Sequence, residues 1–248
     1  MDQTPSGGRR IAFFGGSFDP PHLGHLAVAR AAHSALALDA VLFAPVGAQP
    51  LKPAGSTASF EDRVAMTRLA IASEPGFSLS LIDEPKPGSA PNYTFNTLLS
   101  LRAELPPDGV LFCLMGADSF LSLRRWHRAA EIPFVAPVIV ASRPGQPLDD
   151  LASALPQGLR LEPAAGSLFA GPGSSGPDFE LRTYFLRNAA DAAAPLYVLA
   201  GLHVDISASQ IRDQIREQAP GEPQSFLSQR QLLPTSVMDY IRARGLYQ

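Results

Sequence analysis

The sequence predicts an α/β protein built on a doubly wound, mostly parallel sheet. Three observations carry that expectation. Short apolar runs of β type alternate with helical patterns, the order expected of βαβ units. A Gly-Gly turn directly follows the first apolar run and leads into a helical pattern. Finally, 46% of the 248 residues are hydrophobic, enough to build a substantial buried core.

The elements follow in order along the chain. Residues 11–14 read as a buried strand ended by Gly15-Gly16, and residues 23–38, Ala- and Leu-rich with no breaker after Gly24, read as a helix. Residues 40–45 are the second strand. Residues 60–73 carry Val64, Met66, Leu69 and Ala70 between charges, an amphipathic helix stopped by Pro75-Gly76. Residues 77–82 form a short strand, 93–104 a helix, 110–115 an apolar strand and 134–141 another, despite Pro137.

Beyond Arg143 the alternation stops. Residues 144–178 hold six prolines and six glycines, a concentration of breakers in a chain whose 20 Gly and 24 Pro are already abundant. Regularity returns with a strand at 196–199, a helix from Ser207 to about Gln218 and a last helix at 234–244. These closing elements are too few and too helical to enclose a second core. The expectation is therefore one domain over residues 1–248, with an irregular insertion at 144–178 and a C-terminal helical extension.

Charge and cysteine usage exclude several classes. The formal net charge is −3 and the pI about 5.9, which gives no electrostatic footprint for a nucleic acid polymer. One cysteine, Cys113, permits neither an intrachain disulfide nor a Cys-based metal cluster, and a cytoplasmic location is expected. Residues 1–10 lack the apolar core of a signal peptide. The apolar stretches at 132–141 and 192–202 fall short of the roughly 20 residues that cross a bilayer, so no membrane partner is expected.

The run Gly15-Gly16-Ser17-Phe18-Asp19-Pro20-Pro21-His22-Leu23-Gly24-His25 lies between the first strand and the first helix. There, two glycines let the backbone approach a ligand, and the helix turns free N–H groups and its positive dipole end toward it. Such a site takes an anion. His22 and His25, three residues apart, share one helix face and can reach the same phosphate. A single histidine is ordinarily a satisfied structural residue, but two beside a Gly-Gly strand-to-helix turn favour the anion site. A second stretch, Ile206-Ser207-Ala208-Ser209-Gln210-Ile211-Arg212, offers an N-cap serine and an arginine near the start of a helix. Alone it is a common pattern. Together the two stretches can clamp one polyphosphate from two sides.

These two runs are similar to the HxGH and ISSTxxR signatures of the nucleotidyltransferase superfamily. Further stretches resemble its nicotinate-nucleotide adenylyltransferase branch: Gln49-Pro50-Leu51-Lys52-Pro53, Tyr93-Thr94 with Thr97-Leu98, Gly116-Ala117-Asp118-Ser119 followed by Trp126, and Ser142-Arg143-Pro144-Gly145. The resemblance spans residues 11–247 in order. It implies a Rossmann-like nucleotidyltransferase fold and a reaction in which ATP and nicotinic acid mononucleotide give the deamido-dinucleotide and pyrophosphate. Mg²⁺ would accompany the triphosphate rather than sit in a protein cage, and no protein metal site is expected. His22, His25 and Arg212 would be catalytic. Gly15, Gly16, Ser17, Phe18, Lys52, Ser207 and Ser209 would line the phosphate path, and Gly116 and Asp118 would hold the adenosine ribose. Tyr93, Thr94 and Trp126 would hold the nicotinate ring.

The sequence departs from that pattern in three places. Leu51 stands where many relatives carry a histidine, Ala208 removes a hydroxyl from the second phosphate loop, and the 144–178 insertion is long. Its Leu159, Leu161, Leu168 and Phe169 offer either a lid over the site or a subunit contact in a homo-oligomer. His33 and His127 read as surface or interface positions, His203 as structural, Asp83-Glu84 as a pair that cannot converge, and Arg124, Arg125 and Arg128 as a solvated helix face. The rival readings are an adenylyltransferase for nicotinamide mononucleotide, an enzyme acting on pantetheine phosphate or a cytidylyl acceptor, and a nucleotide-binding regulator without turnover. Intact His22, His25 and Arg212 argue against the last.

Overall fold

The central strand, β1 (Arg10–Gly16), owes its position to apolar residues on both faces: Ile11 and Phe13 point one way, Ala12 and Phe14 the other, and all four are buried. In the computed structural model, which describes residues 8–51, 55–86, 88, 90–141, 152–164, 175–176, 179–202, 206–217 and 232–248, this strand pairs in parallel with β2 (Ala40–Pro45) on one side and β4 (Val110–Gly116) on the other. β3 (Phe77–Leu79) continues the sheet beyond β2, and β5 (Val138–Ala141) and β9 (Ala193–Ala200) continue it beyond β4. The strand order β3-β2-β1-β4-β5-β9 reverses direction at the β1/β4 boundary. That is the switch point at which open α/β sheets leave a crevice at the C-terminal strand ends.

Helices cover both faces, as a doubly wound sheet requires. On one side α1 (Leu23–Ala35), α2 (Phe60–Ile71), α6 (Ala208–Glu217) and α7 (Thr235–Arg244) bury Leu26, Met66, Ile211 and Ile241 against Phe14, Val41 and Phe43. On the other, α3 (Thr94–Glu104), α4 (Ala117–Leu121) and α5 (Ile132–Val135) bury Leu98, Phe120 and Ile132 against Phe13, Met115 and Val140. Ser59 caps α2, its hydroxyl accepting from the Asp62 N–H at 3.0 Å, and Glu61 and Asp62 complement the positive end of that helix. No helix among the described residues is long and apolar enough to cross a membrane.

Three expectations change. The apolar run at 134–141 divides: Pro133 sits in the first turn of α5, and the strand begins only at Val138, after Pro137, which has no N–H for a ladder. Second, β8 (Phe179–Arg187) was not anticipated. It runs antiparallel to β9 and to β6 (Arg160–Pro163), and β7 (Ser175–Gly176) also pairs with it. The described part of the 144–178 insertion therefore extends the sheet. Third, Leu159 and Leu161 pack against the α3-side core, which removes them from any lid; Leu168 and Phe169 lie outside the described residues.

The C-terminal ends of β1 and β2 are tied together by a buried cation. Arg63, on α2 and 2% exposed, donates from Nη1 to the Ser17 carbonyl at 2.7 Å and from Nη2 to the Val46 carbonyl at 2.8 Å. Both carbonyls belong to residues just past their strands. Arg63→Met keeps most of the volume but leaves two buried acceptors unpaired, and should lower unfolding stability by about 2–4 kcal/mol in urea titrations; a change below about 0.5 kcal/mol would show that the tie carries no weight.

Candidate active site

Two cavities open at the switch point, of about 470 and 380 Å³, and they share the wall formed by Gly15, Gly16, Ser17 and Ser119. Volumes of this size suit nucleotide-scale ligands. The first cavity collects His22, His25, Phe18, Gly116, Asp118, Ser207, Ser209 and Arg212, residues that the sequence places in three separate stretches. The second collects Tyr93, Thr94 and Trp126. Lys52, His203 and residues 142–145 lie outside the described residues.

The loop leaving β1 is held by packing as much as by hydrogen bonds. A Cβ at Gly15 would stand 2.7 Å from the Phe13 ring, and one at Gly16 would stand 3.1 Å from the Phe18 ring. The glycines thus make room for two core rings as well as for a ligand. Phe18 adopts a left-handed φ of 48°, a strained conformation for a bulky residue. Its ring, 1% exposed, is fixed edge-on by Phe14 at 5.5 Å and by His25 at 5.0 Å. Ser17 is oriented by Gln49, whose Nε2 donates to the serine Oγ at 2.6 Å.

His22 and His25 do meet on one face of the helix start, with ring centroids 3.7 Å apart and planes 28° from parallel. The backbone N–H of His22 donates to His25 Nδ1 at 3.1 Å. That bond leaves Nδ1 as an acceptor, so neutral His25 carries its proton on Nε2 and can donate it to an anion. Burial first, and the neighbouring His22 second, hold the His25 pKa well below the usual histidine value. His25 is a neutral donor rather than a cation.

Arg212 supplies the cation. From α6 it crosses to the β1 loop, its Nη1 donating to the Asp19 carbonyl at 2.7 Å and its Nη2 to Ser209 Oγ at 3.2 Å. Asp19, which sequence reasoning passed over, is buried and gathers the backbone N–H groups of Thr57 at 2.6 Å and Ala58 at 3.1 Å. The N-terminal end of α6, with Ser207 and Ser209, faces the same cavity as the N-terminal end of α1. At Gly116 no atom lies within 4 Å of where a Cβ would be, which leaves the β4 end open to the cavity beside Asp118.

In the second cavity the Trp126 indole is oriented by Nε1 donating to Ser122 Oγ at 3.2 Å. The Tyr93 ring lies 4.6 Å from that of His127, which is exposed, as expected, and also lines this cavity. Arg124, Arg125 and Arg128 are all exposed, as expected of a solvated face, and Arg125 also lines the mouth of this cavity, whereas Arg124 does not. Asn92 braces the wall, accepting from the Ala48 N–H at 2.9 Å. Asp83 is buried, accepts the Thr97 hydroxyl at 2.6 Å and has its pKa raised by burial, whereas Glu84 is exposed, so the two form no acid pair. Burial pushes the Cys113 thiol up to about 12, which makes it inert at neutral pH.

Residues 13–214 match the cytidylyltransferase-like family model, which defines the class as nucleotidyltransferase. Two similar relatives are named probable nicotinate-nucleotide adenylyltransferases. One, from Trichlorobacter lovleyi, is 35% identical over 241 residues, covering 96% of this chain and 99% of its own. The other, from Pelobacter propionicus, is 36% identical over 242 residues, covering 96% and 98%. The chain belongs to the nicotinate-nucleotide adenylyltransferase family. Its fold is shared with a solved Plasmodium falciparum nicotinic acid mononucleotide adenylyltransferase complexed with NaAD, with a TM-score of 0.63 at 16% identity over 96% of this chain and 97% of that one.

The His25 geometry can be checked without any substrate. Nitrogen-detected NMR of labelled imidazoles should show His25 as the Nε2–H tautomer, neutral at pH 6.5, where an ordinary histidine is half protonated. Because the folded pKa is depressed, the unfolded chain binds the extra proton first, and His25 should cost stability as pH falls below about 6.5. Protonation midway through an ordinary histidine range would contradict the assignment.

Proposed function

We propose that this chain transfers the adenylyl group of ATP to nicotinic acid mononucleotide, forming the deamido-dinucleotide and releasing pyrophosphate. The observation that carries this reading is the shared wall: two nucleotide-sized cavities meet at Gly15, Gly16 and Ser17, where an acceptor phosphate from one would face a triphosphate from the other. Family membership supports the same pair of substrates.

The chemistry asks little covalent work of the protein. An acceptor phosphate oxygen forms a bond to the α-phosphorus, the bond from that phosphorus to the bridging oxygen breaks, and the electron pair leaves with pyrophosphate. The attacking oxygen is already anionic, so no general base is needed. What the site must supply is alignment and donors for charge on the equatorial and leaving oxygens. His22 and His25 donate to the α-phosphate, and Arg212 holds the departing β/γ-phosphates. Backbone N–H groups of residues 16–18, the Ser17 hydroxyl, Ser207 and Ser209 line the phosphate path, with Lys52 adding a cation. Gly116 leaves space for the adenosine ribose, and Asp118 accepts its hydroxyls.

Mg²⁺ enters with the triphosphate and neutralises part of its charge. Among the described residues no group of three or more His, Cys, Asp or Glu is placed to hold a metal ion. In the second cavity the nicotinate ring stacks on Trp126 between Tyr93 and Thr94. Arg125 is the strong cation among the described residues of that wall, and it attracts the ring carboxylate. A reducing, cytoplasmic compartment suits a chain with a single buried thiol.

Two outcomes test this. His25→Ala should lower kcat about 10²-fold, the scale of losing one preorganised donor, with a nearly unchanged melting temperature; wild-type turnover would remove His25 from the mechanism. With MgATP, the acid mononucleotide should be used in preference to the amide, and Arg125→Ala should narrow that preference about twofold to fivefold, as befits a charge pair at an exposed mouth. Equal rates for acid and amide in the wild type would sink the acceptor assignment.

A further inference from the structure

Tyr247, just beyond the last helix, reaches the loop that follows β1. Helix α7 ends at Gly245 in a left-handed conformation, with the Leu246 N–H bonded back to the Ile241 carbonyl at 3.0 Å, and this turn sends the chain inward. Tyr247, itself at a φ of 68°, is 6% exposed, and its hydroxyl donates to Asp19 Oδ1 at 2.7 Å, across 228 positions of sequence. A ring that served packing alone would need no hydroxyl there. This one is the third donor to a carboxylate already bound by Thr57 and Ala58, and the carbonyl of that same aspartate receives Arg212 at 2.7 Å. Burial, together with the bond to Asp19, raises the tyrosine pKa, so the hydroxyl keeps its proton and remains a donor at any pH the enzyme meets.

We infer that Tyr247 is a positioning residue for adenylyl transfer: its hydroxyl fixes Asp19, and the Asp19 carbonyl in turn sets the guanidinium of Arg212 at the triphosphate. The inference rests on reading the first cavity as the ATP site, but not on the identity of the acceptor. Asp19 lies between Phe18, held in a strained backbone conformation, and the proline pair that leads to His22. Without the third donor the carboxylate keeps its two backbone donors, Thr57 on Oδ2 and Ala58 on Oδ1, but loses its one tie to the C-terminal turn, and the loop carrying both the Arg212 acceptor and the approach to His22 is held less tightly. Misplacement of the order of 1 Å at such a point is costly for a reaction that depends on alignment.

The test is Tyr247→Phe, which keeps the ring and removes the donor. Its melting temperature should stay within about 4 °C of wild type, the scale of a 1 kcal/mol change in a chain of this length. MgATP affinity, titrated calorimetrically with no acceptor present, should weaken about tenfold, as expected for losing one charge-assisted hydrogen bond. In steady state the KM for nicotinic acid mononucleotide should not move. Combined with Arg212→Lys, the losses in ATP affinity should fall short of their product, because both act on one contact. Wild-type ATP affinity in Tyr247→Phe, losses that multiply, or equal losses for both substrates with a large fall in melting temperature would each overturn the proposal. Should the phenylalanine variant not fold, wild-type protein labelled at tyrosine Cζ decides the same question: the Tyr247 resonance shifts on MgATP addition if the hydroxyl is coupled to the site, and an unmoved resonance overturns it. A wild-type protein that uses another acceptor leaves the test in force; one that binds no ATP overturns both readings.

Discussion

The arrangement depends on how residues 15–19 leave β1. A loop that turns from a buried central strand into a helix exposes backbone carbonyls and N–H groups where little water can satisfy them, and each must find a partner. Here the carbonyls of Ser17 and Asp19 take arginine donors from α2 and α6, while the Asp19 side chain collects two backbone N–H groups and the Tyr247 hydroxyl. The loop is therefore satisfied from behind by four distant parts of the chain. The loop lines the same cavity as the N-terminal ends of α1 and α6.

An acidic chain that must hold a triphosphate cannot rely on net charge. At −3 overall, net charge supplies no long-range attraction, and the protein instead gathers helix N-termini and Arg212 in a single cavity. Its use of a neutral His25 follows from the same logic. A buried imidazolium beside a second histidine would be expensive to desolvate, whereas a neutral Nε2–H donor is available at every pH above its depressed pKa. Arg212 carries full charge and sits at the rim of this arrangement, partly open to solvent, where its desolvation cost is smaller.

Much of this was legible from local pattern, and what was missed is nonlocal. The β1 loop announces itself because strand period, glycine pair and histidine spacing coincide within residues 11–25, and the Ser207 stretch, common on its own, gains meaning only beside it. Strand β8 escaped notice: Glu180, Arg182 and Arg187 break up its apolar residues, and it follows a dense run of prolines and glycines. Pairing to β9, which no local signal reports, makes it a strand. Asp19 sat inside the strongest motif yet gave no sign of its role, because its partners are Thr57, Ala58 and Tyr247. Arg125 was indistinguishable from Arg124 in sequence; only the turn before Trp126 decides which of the two faces the cavity.

The second cavity poses the sharper selectivity problem. An acid and an amide of the same ring have nearly the same shape, so discrimination must come from charge, and the wall already contains a buried carboxyl at Asp83. A substrate carboxylate near an ionised Asp83 would be repelled. Two features reduce that repulsion: burial raises the Asp83 pKa, and the Thr97 hydroxyl occupies one of its oxygens. Arg125 adds an attraction that an amide cannot match, but at an exposed position solvent weakens it. The same wall includes Thr94, the first residue of α3, at the positive end of that helix, an end that favours an anion over a neutral group.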